Sequence, residues 1–350
     1  MSKKLFFILI IAFLMMGGVG CIQVDFGGSG TGNDGGIFKS ADKGVEWMQK
    51  VRILTTGERI KTIGNVNVLT LVMDPQDSRA IYLGSEKSGL FYSYDGGESW
   101  SRSSTLQRGA VPSVAIAPDN KCTVYAAYEN KVIKSIDCSR TWQVKYFESR
   151  TDKRITSVAI DPRNASVIYA GSSSGDVLKS SDAGVSWTPI SRFQNQIKKI
   201  LIAPYNSTIV YVATASSGMF KTTNGGGSWD ELAKNFSQFS GSRVYQDLQF
   251  DLSGTERLVY ASKFGLLKTN DGGATWNQIE LLTPPGSATI YSLGVNPRNG
   301  NDIFYSTGTT FYKTLDGGEK WITKKLPTSR VGSVIMIDPT NPNVVYMGVR

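Results

Sequence analysis

A basic residue stands shortly before several of the apolar, β-type segments that recur along the chain. The set comprises Arg108, Arg154, Lys199, Arg243 and Arg330. If these segments lie side by side, the five cations form one positive surface, which attracts acidic partners and accelerates their encounter. The alternative is a scatter of solvated charges, because the whole chain is basic, with a formal net charge of +9.

The residue types that most hydrolytic and metal chemistry requires are missing or isolated. There is no His, which excludes imidazole bases and His-ligated zinc. Three Cys cannot form a four-thiolate zinc site. Glycoside hydrolysis needs two carboxylates facing each other across roughly 5–10 Å, and Glu58, Asp152 and Asp247 show no evident pairing. We therefore predict no catalytic, cofactor-binding or metal-binding residues and no enzymatic activity.

The N-terminal segment has the pattern of an export signal. Two Lys precede the twelve apolar residues 5–16, too few for a transmembrane helix, which needs about 20, but typical of a signal peptide. Small residues at 17–20 lead into Cys21 and resemble the lipobox of bacterial lipoproteins. The resemblance implies cleavage after residue 20 and lipidation of Cys21. Ordinary secretion, with Cys21 incidental, is the alternative.

Residues 21–36 are predicted to form a flexible tether behind the lipidated cysteine. Six of the fifteen residues 22–36 are Gly, and such a chain has an r.m.s. reach of roughly 20 Å. We therefore expect an exported domain held at the cell membrane or outer membrane. Export also disfavours nucleic acid as a partner, in spite of the basic composition.

All seven Trp residues close the same short motif, whose consensus is S/T-x-D-x-G-x-S/T-W. The acidic or amide residue and the Trp of each copy are Asp42 and Trp47, Asp95 and Trp100, Asp137 and Trp142, Asp182 and Trp187, Asn224 and Trp229, Asp271 and Trp276, and Asp316 and Trp321. Successive Trp are 42 to 53 residues apart, which is the length of one four-stranded propeller blade. The motif resembles the Asp-box, or BNR repeat.

The resemblance implies that each box is scaffold and forms the turn between the third and fourth strands of a blade. In such a turn the Asp or Asn oxygen accepts backbone N–H groups, Gly tolerates positive φ, and the Trp ring packs between adjacent sheets. Binding residues of such propellers normally lie on the opposite face. The third box departs from the pattern, with Ser139 in place of Gly.

The order of the strands predicts how the ring closes. The chain begins with only a third and a fourth strand, residues 37–51, and ends with only a first and a second, residues 331–350. We therefore predict an all-β fold, a single seven-bladed β-propeller of four-stranded blades over 37–350, closed by strands from both termini. Closure removes exposed sheet edges, which an open stack of hairpins, the alternative, would retain.

The remaining two cysteines, Cys122 and Cys138, are predicted to form a disulfide. A two-residue turn at 129–130 would place Cys122 opposite Asp137, on strands about 4.8 Å apart. That separation lies within the range for disulfide Cα atoms, and an exported domain permits oxidation. Two free thiols are the alternative.

A single Asp-box propeller behind a lipoprotein signal resembles the photosystem II stability/assembly factor family, and its blades also resemble the sortilin propeller. The first resemblance implies that a basic face binds assembling membrane proteins. We predict an exported, lipid-anchored, monomeric and non-catalytic propeller. It would act as an assembly or stability factor by binding an acidic protein surface near the membrane.

Two other functions remain open from the sequence. Sialidases and xyloglucan hydrolases share the Asp-box, although the former have six blades and the latter use two propellers. A carbohydrate-binding surface module is the third class, with Phe239, Tyr245 and Tyr291 as candidate contacts near the channel, although core packing is the more frequent role of such aromatics.

Overall fold

The computed structural model describes residues 33–54 and 61–350, and this part of the chain is almost entirely antiparallel β-sheet. It contains seven four-stranded sheets, one two-stranded ribbon and a short 3-10 helix, Leu232–Phe236. Within the described residues no helix has the length and apolar character needed to cross a membrane. The predicted signal peptide, the lipidation site Cys21 and the candidate acid Glu58 lie outside the described residues.

The strands follow one another as hairpins, with the first strand of each blade innermost. The N-terminal strands are β1 (Gly36–Ser40), β2 (Met48–Gln49), β3 (Arg52–Ile53) and β4 (Lys61–Thr62). The first three blades contain β5 (Val68–Met73), β6 (Ile81–Ser85), β7 (Leu90–Ser93), β8 (Ser101–Arg102); β9 (Ser113–Ile116), β10 (Val124–Tyr128), β11 (Lys131–Ser135), β12 (Gln143–Phe147); β13 (Ile155–Asp161), β14 (Asn164–Ser172), β15 (Asp176–Ser180) and β16 (Thr188–Arg192). The next three contain β17 (Ile197–Ile202), β18 (Val210–Thr214), β19 (Met219–Thr222), β20 (Asp230–Glu231); β21 (Tyr245–Phe250), β22 (Leu258–Ser262), β23 (Leu266–Thr269), β24 (Asn277–Ile279); β25 (Ser292–Asn296), β26 (Asn299–Ser306), β27 (Thr310–Thr314) and β28 (Ile322–Lys325). The last two strands are β29 (Gly332–Ile337) and β30 (Val345–Val349).

The seventh blade is assembled from both ends of the chain, as predicted. Its strand order is β2-β1-β30-β29, and β1 pairs with β30 over five residues, with Phe38 opposite Met347. Because this pairing joins segments about 300 residues apart in sequence, the ring has no open edge between its first and last blades. The predicted seven-bladed, four-stranded propeller is confirmed.

All seven boxes form the turn with the same three hydrogen bonds. In the fourth box the Ser180 hydroxyl donates to Asp182 Oδ1 at 2.8 Å, the Gly184 N–H donates to Ser180 Oγ at 2.8 Å, and the Ser186 N–H donates to Asp182 Oδ1 at 2.9 Å. The counterparts of these bonds recur in every other box, including the one built on Asn224. The polar side chains of each box are therefore occupied by hydrogen bonds within their own turn.

At three of the contacts between neighbouring blades, a Tyr of the second strand and a Lys of the third donate to the same carbonyl. In the third blade, Tyr169 Oη and Lys179 Nζ both donate to the Gly225 carbonyl in the box of the next blade, at 3.0 and 2.9 Å. Tyr346 and Lys39 make the same pair of bonds across the closure, at 2.9 Å each. Burial raises the pKa of Tyr169 to about 12, so its hydroxyl remains a donor at neutral pH.

The core lies between the blades and is divided into seven clusters, one for each contact between neighbouring sheets. The Trp residues of the boxes contribute unequally. Trp100 and Trp276 are buried, and the indole N–H of Trp100 donates to the Lys50 carbonyl at 2.8 Å. The other five Trp are half-buried at the blade edges.

The third box carries a covalent tie. Glu129 and Asn130 form the turn between β10 and β11, and Val124 pairs with Ser135. This register places Cys122 beside the box, and the structure joins it to Cys138 in a disulfide.

Candidate functional site

The inner strands β5, β9, β13, β17, β21, β25 and β29 enclose a central cavity of about 790 Å³. A volume of this size is typical of a small-molecule site. The Asp-boxes and the Pro-containing turns lie at one end of the cavity. The loops that join successive blades lie at the other end, which we call the loop face.

In five of the seven blades, a β-bulge near the start of the inner strand directs one residue toward the cavity. The register shifts at Val68/Thr70, Ile155/Ser157, Ile197/Lys199, Tyr245/Asp247 and Gly332/Val334. A bulge leaves its extra residue unpaired and re-aims the side chain. The skipped residues, together with those at the equivalent places before β9 and β25, all line the cavity and are here called the channel ring: Leu69, Pro112, Thr156, Lys198, Gln246, Tyr291 and Ser333.

Lys198 is the charged residue of the channel ring, and its environment destabilises the protonated form of its amino group. The pKa of its amino group is lowered, mainly because the surrounding walls reduce its hydration and also because the Arg350 guanidinium is near. The side chain is nevertheless exposed to the water of the cavity. An anion that enters the channel would interact favourably with this ammonium group.

The neighbouring Lys199 has a different role. Its amino group contacts Asp247 Oδ1 at 2.9 Å, and Asp247 Oδ2 accepts the Leu293 N–H at 3.1 Å. Asp247 therefore ties the inner strands of three consecutive blades. The structure also corrects one predicted placement, because Lys199 lies inside β17 and not in the loop before it.

The other four residues of the predicted basic face lie on the loops outside the cavity. Arg154 contacts Glu129 at 3.2 Å, and Arg243 contacts Glu231 at 3.2 Å. Both arginine side chains are half exposed, and Arg108 is exposed. Of the five predicted residues, only Lys199 lines the cavity, so the five cations do not form one ring on the cavity wall.

Arg330 has a mainly structural role. Its Nε lies 3.2 Å from Asp34 Oδ1, and its Nη1 donates to Asn67 Oδ1 at 2.9 Å. Asp34 also accepts bonds from the hydroxyl and N–H of Ser329, which lower its pKa to about 2. This cluster fastens the first described residues to the loop between the sixth and seventh blades.

An ionic cluster with two buried carboxylates on the loop face has no signal in the sequence. Arg150 contacts Glu148 at 2.7 Å and Asp176 at 2.6 Å, and Arg192 also contacts Asp176. Burial alone would raise the pKa of Asp176, but bonds from Arg192 and Arg150 lower it overall. Glu148 and Arg150 lie on the loop between the second and third blades, whereas Asp176 and Arg192 lie on β15 and β16, so only their assembly in the fold reveals the cluster.

The predicted aromatic and acidic candidates separate into cavity and non-cavity groups. Tyr245 and Tyr291 line the cavity, whereas Phe239 packs on Phe264 with ring centroids 4.9 Å apart. Asp152 is exposed and contacts Lys153 at 2.7 Å. Among residues 33–54 and 61–350, Asp247 is the one acidic side chain that lines the cavity, and it is already ion-paired.

Comparisons with known proteins agree with this architecture. No curated protein sequence matches the chain significantly. A structure of YCF48 bound to D1 peptide has a TM-score of 0.64 and 14% identity, over 86% of this chain and 96% of that one. YCF48 from Cyanidioschyzon merolae has a TM-score of 0.62 and 13% identity, over 85% and 97%.

A GH74 xyloglucanase from Xanthomonas campestris matches with a TM-score of 0.66 and 16% identity, over 81% of this chain and 51% of that one. The chain thus spans about half the length of the GH74 structure. Residues 192–349 match the sequence model of the family described as Photosynthesis system II assembly factor YCF48. The predicted resemblance of this Asp-box propeller to the photosystem II assembly factor family is therefore confirmed.

Proposed function

We propose that this protein is a non-catalytic propeller that binds a membrane-associated protein partner and assists its assembly or stability. The observation that carries the proposal is the match of residues 192–349 to the YCF48 assembly factor family. One of the similar solved structures, moreover, is a YCF48 protein with a bound D1 peptide. The propeller of this chain would bind its own partner on the loop face.

The exposed arginines of the loop face are the residues best suited to an acidic partner. Arg154 and Arg243 each have a surface carboxylate as neighbour, and surface ion pairs of this kind contribute only about 0–1 kcal/mol. A partner carboxylate can therefore replace the internal one at little cost. Together with the exposed Arg108, they form the proposed binding set, whereas Lys199 and Arg330 serve the channel wall and the fold.

A crosslinked pull-down from detergent-solubilised membranes tests this set. The test variant carries Arg108→Glu, Arg154→Glu and Arg243→Glu. Its matched control carries Lys121→Glu, Arg298→Glu and Lys320→Glu, three exposed positions near the turns at the opposite face. We expect native and control proteins to capture one discrete membrane protein and the test variant to lose it. Equal capture by all three proteins, or none by any, would refute the proposed face.

The similarity to GH74 propellers favours glycoside hydrolysis as a second candidate function. Hydrolysis requires two carboxylates across the scissile bond, and the described cavity supplies Asp247 alone. We therefore expect no turnover of xyloglucan or of fluorogenic glycosides. Robust turnover that Asp247→Asn abolishes would replace the binding proposal with an enzymatic one.

Attachment to the membrane through Cys21 completes the proposal. A Cys21→Ala variant should appear in the soluble fraction and should not incorporate a clickable fatty acid. The native protein should incorporate the fatty acid and sediment with membranes. A native protein that sediments without label would refute lipidation, although partner capture on the loop face could still hold.

A further inference from the structure

Three consecutive members of the channel ring have polar side chains without a hydrogen-bond partner among the described residues. Lys198, Gln246 and Tyr291 come from the fourth, fifth and sixth blades and all line the cavity. Within residues 33–54 and 61–350, none of their side chains hydrogen-bonds to a protein atom. Together they offer an ammonium, an amide and a phenol hydroxyl, each of which can donate to an anionic oxygen.

The other polar members of the ring are already satisfied. The Thr156 hydroxyl donates to the Ile197 carbonyl at 2.6 Å, and the Ser333 hydroxyl donates to the Val68 carbonyl at 2.7 Å. Leu69 fills the ring position of the first blade. The channel ring is therefore asymmetric. Available hydrogen-bond donors lie along one arc, and the side chains along the rest of the ring are apolar or already hydrogen-bonded.

The charge balance of the cavity also favours an anion. Lys199 and Asp247 neutralise each other at 2.9 Å, which leaves Lys198 as the lysine that lines the cavity without a carboxylate partner among the described residues. An ammonium group between low-dielectric walls gives the channel a positive potential there.

Part of the wall below the ring is apolar, beside the Lys199–Asp247 pair and Gln249. Val72, Leu201 and Met336 line the cavity toward the Asp-box face. We propose that the central channel binds a small organic carboxylate, whose head contacts Lys198, Gln246 and Tyr291 and whose compact apolar body lies against these walls. The site is separate from the loop-face arginines, so the inference does not depend on the proposed partner.

Benzoate is a suitable probe, with neutral benzamide as its matched control and inorganic phosphate as a test of anion binding alone. Binding to the full-length protein in detergent is measured by calorimetry and by ligand-observed NMR. We expect saturable binding of benzoate and none of benzamide. Lys198→Met should weaken benzoate binding roughly tenfold or more, because a charge-assisted hydrogen bond is lost, and Lys198→Arg should retain it.

Lys198→Met should fold normally, because the side chain has no protein partner among the described residues, and its thermal unfolding is checked against that of the native protein. Lys121→Met, an exposed lysine outside the cavity, should bind benzoate like the native protein. Equal benzoate binding by Lys198→Met and native protein would overturn the site. Binding of phosphate but not benzoate, lost in Lys198→Met, would overturn the assigned ligand class.

Discussion

The third Asp-box should depend on its disulfide more than any other box depends on a single contact. Cys138 and Ser139 have φ values of +57° and +68°, in the left-handed region that costs a non-Gly residue about 1–2 kcal/mol. In each of the other six boxes, at least one of the two corresponding residues is Gly. The bond to Cys122 therefore holds a turn that its own sequence disfavours.

The perturbation compares two variants that both lack the disulfide. In Cys122→Ser/Cys138→Ser the turn keeps a side chain at φ +57°, whereas in Cys122→Ser/Cys138→Gly it does not. Glycine relieves about 1–2 kcal/mol of strain but adds about 0.5–1 kcal/mol of unfolded-state entropy. The Gly variant should therefore be more stable by roughly 0.5–1 kcal/mol.

Both variants should be less stable than the oxidised native protein. The disulfide spans 16 residues, for which chain entropy gives at most about 3 kcal/mol. The actual loss should be smaller, because the β10–β11 pairing already restrains this hairpin in the native state.

Denaturant unfolding followed by Trp fluorescence measures these differences, with and without reductant. Ala183→Gly is the matched control, since Ala183 occupies the same box position with φ +57° and no disulfide. It should stabilise the protein by the same increment. If Ala183→Gly stabilises but the two Cys138 variants unfold alike, the disulfide does not compensate for a strained box, and the reasoning fails.

Three further predictions concern contacts that hold the ring together. Tyr169→Phe and Lys179→Met should each cost little, about 0.5–1.5 kcal/mol, because the other side chain still donates to the shared carbonyl; the double variant should cost more than their sum in a denaturation cycle. Additive costs would contradict a shared acceptor. Hydrogen bonds from the Ser186 hydroxyl and N–H lower the pKa of Asp182 from 3.8 to about 2. The ionised carboxylate therefore contributes fully to the free energy of unfolding above pH 3.8, and this contribution is lost as the pH falls toward 2. Asp182→Asn, which retains an amide acceptor, should therefore lose less unfolding free energy than the native protein between pH 4 and 2, and an equal loss would contradict the assignment. Arg330→Met should lower stability by about 1 kcal/mol and speed amide exchange in β1; unchanged exchange there would contradict its role as a tie.

The blade count and the closure could be predicted from the sequence alone. Seven repeats of the box fix the number of third-to-fourth strand turns, because the Asp acceptor, the Gly positions and the Trp are all local requirements of that turn. The unmatched strand pairs at the two ends then leave only one arrangement that buries every edge. The disulfide expectation was similarly local, since it depends on one two-residue turn.

The site could be predicted only in part. The sequence indicated which loops carry basic residues, but not which of those residues are free. Arg330 and Asp34 are 296 residues apart, and the Arg150 cluster joins the loop after the second blade to two strands of the third, so no local pattern reveals either contact.

The channel ring was decided entirely by tertiary structure. Lys198 and Lys199 are adjacent and chemically identical in the sequence, yet one lines the cavity without a protein partner among the described residues and the other pairs with Asp247. A bulge of one residue separates these roles, because side chains alternate along a strand and a single extra residue changes which neighbours each of them meets. The sequence by itself determined the propeller and its closure through repeated local turns, whereas the long-range packing of the blades decided which charges remain available for binding.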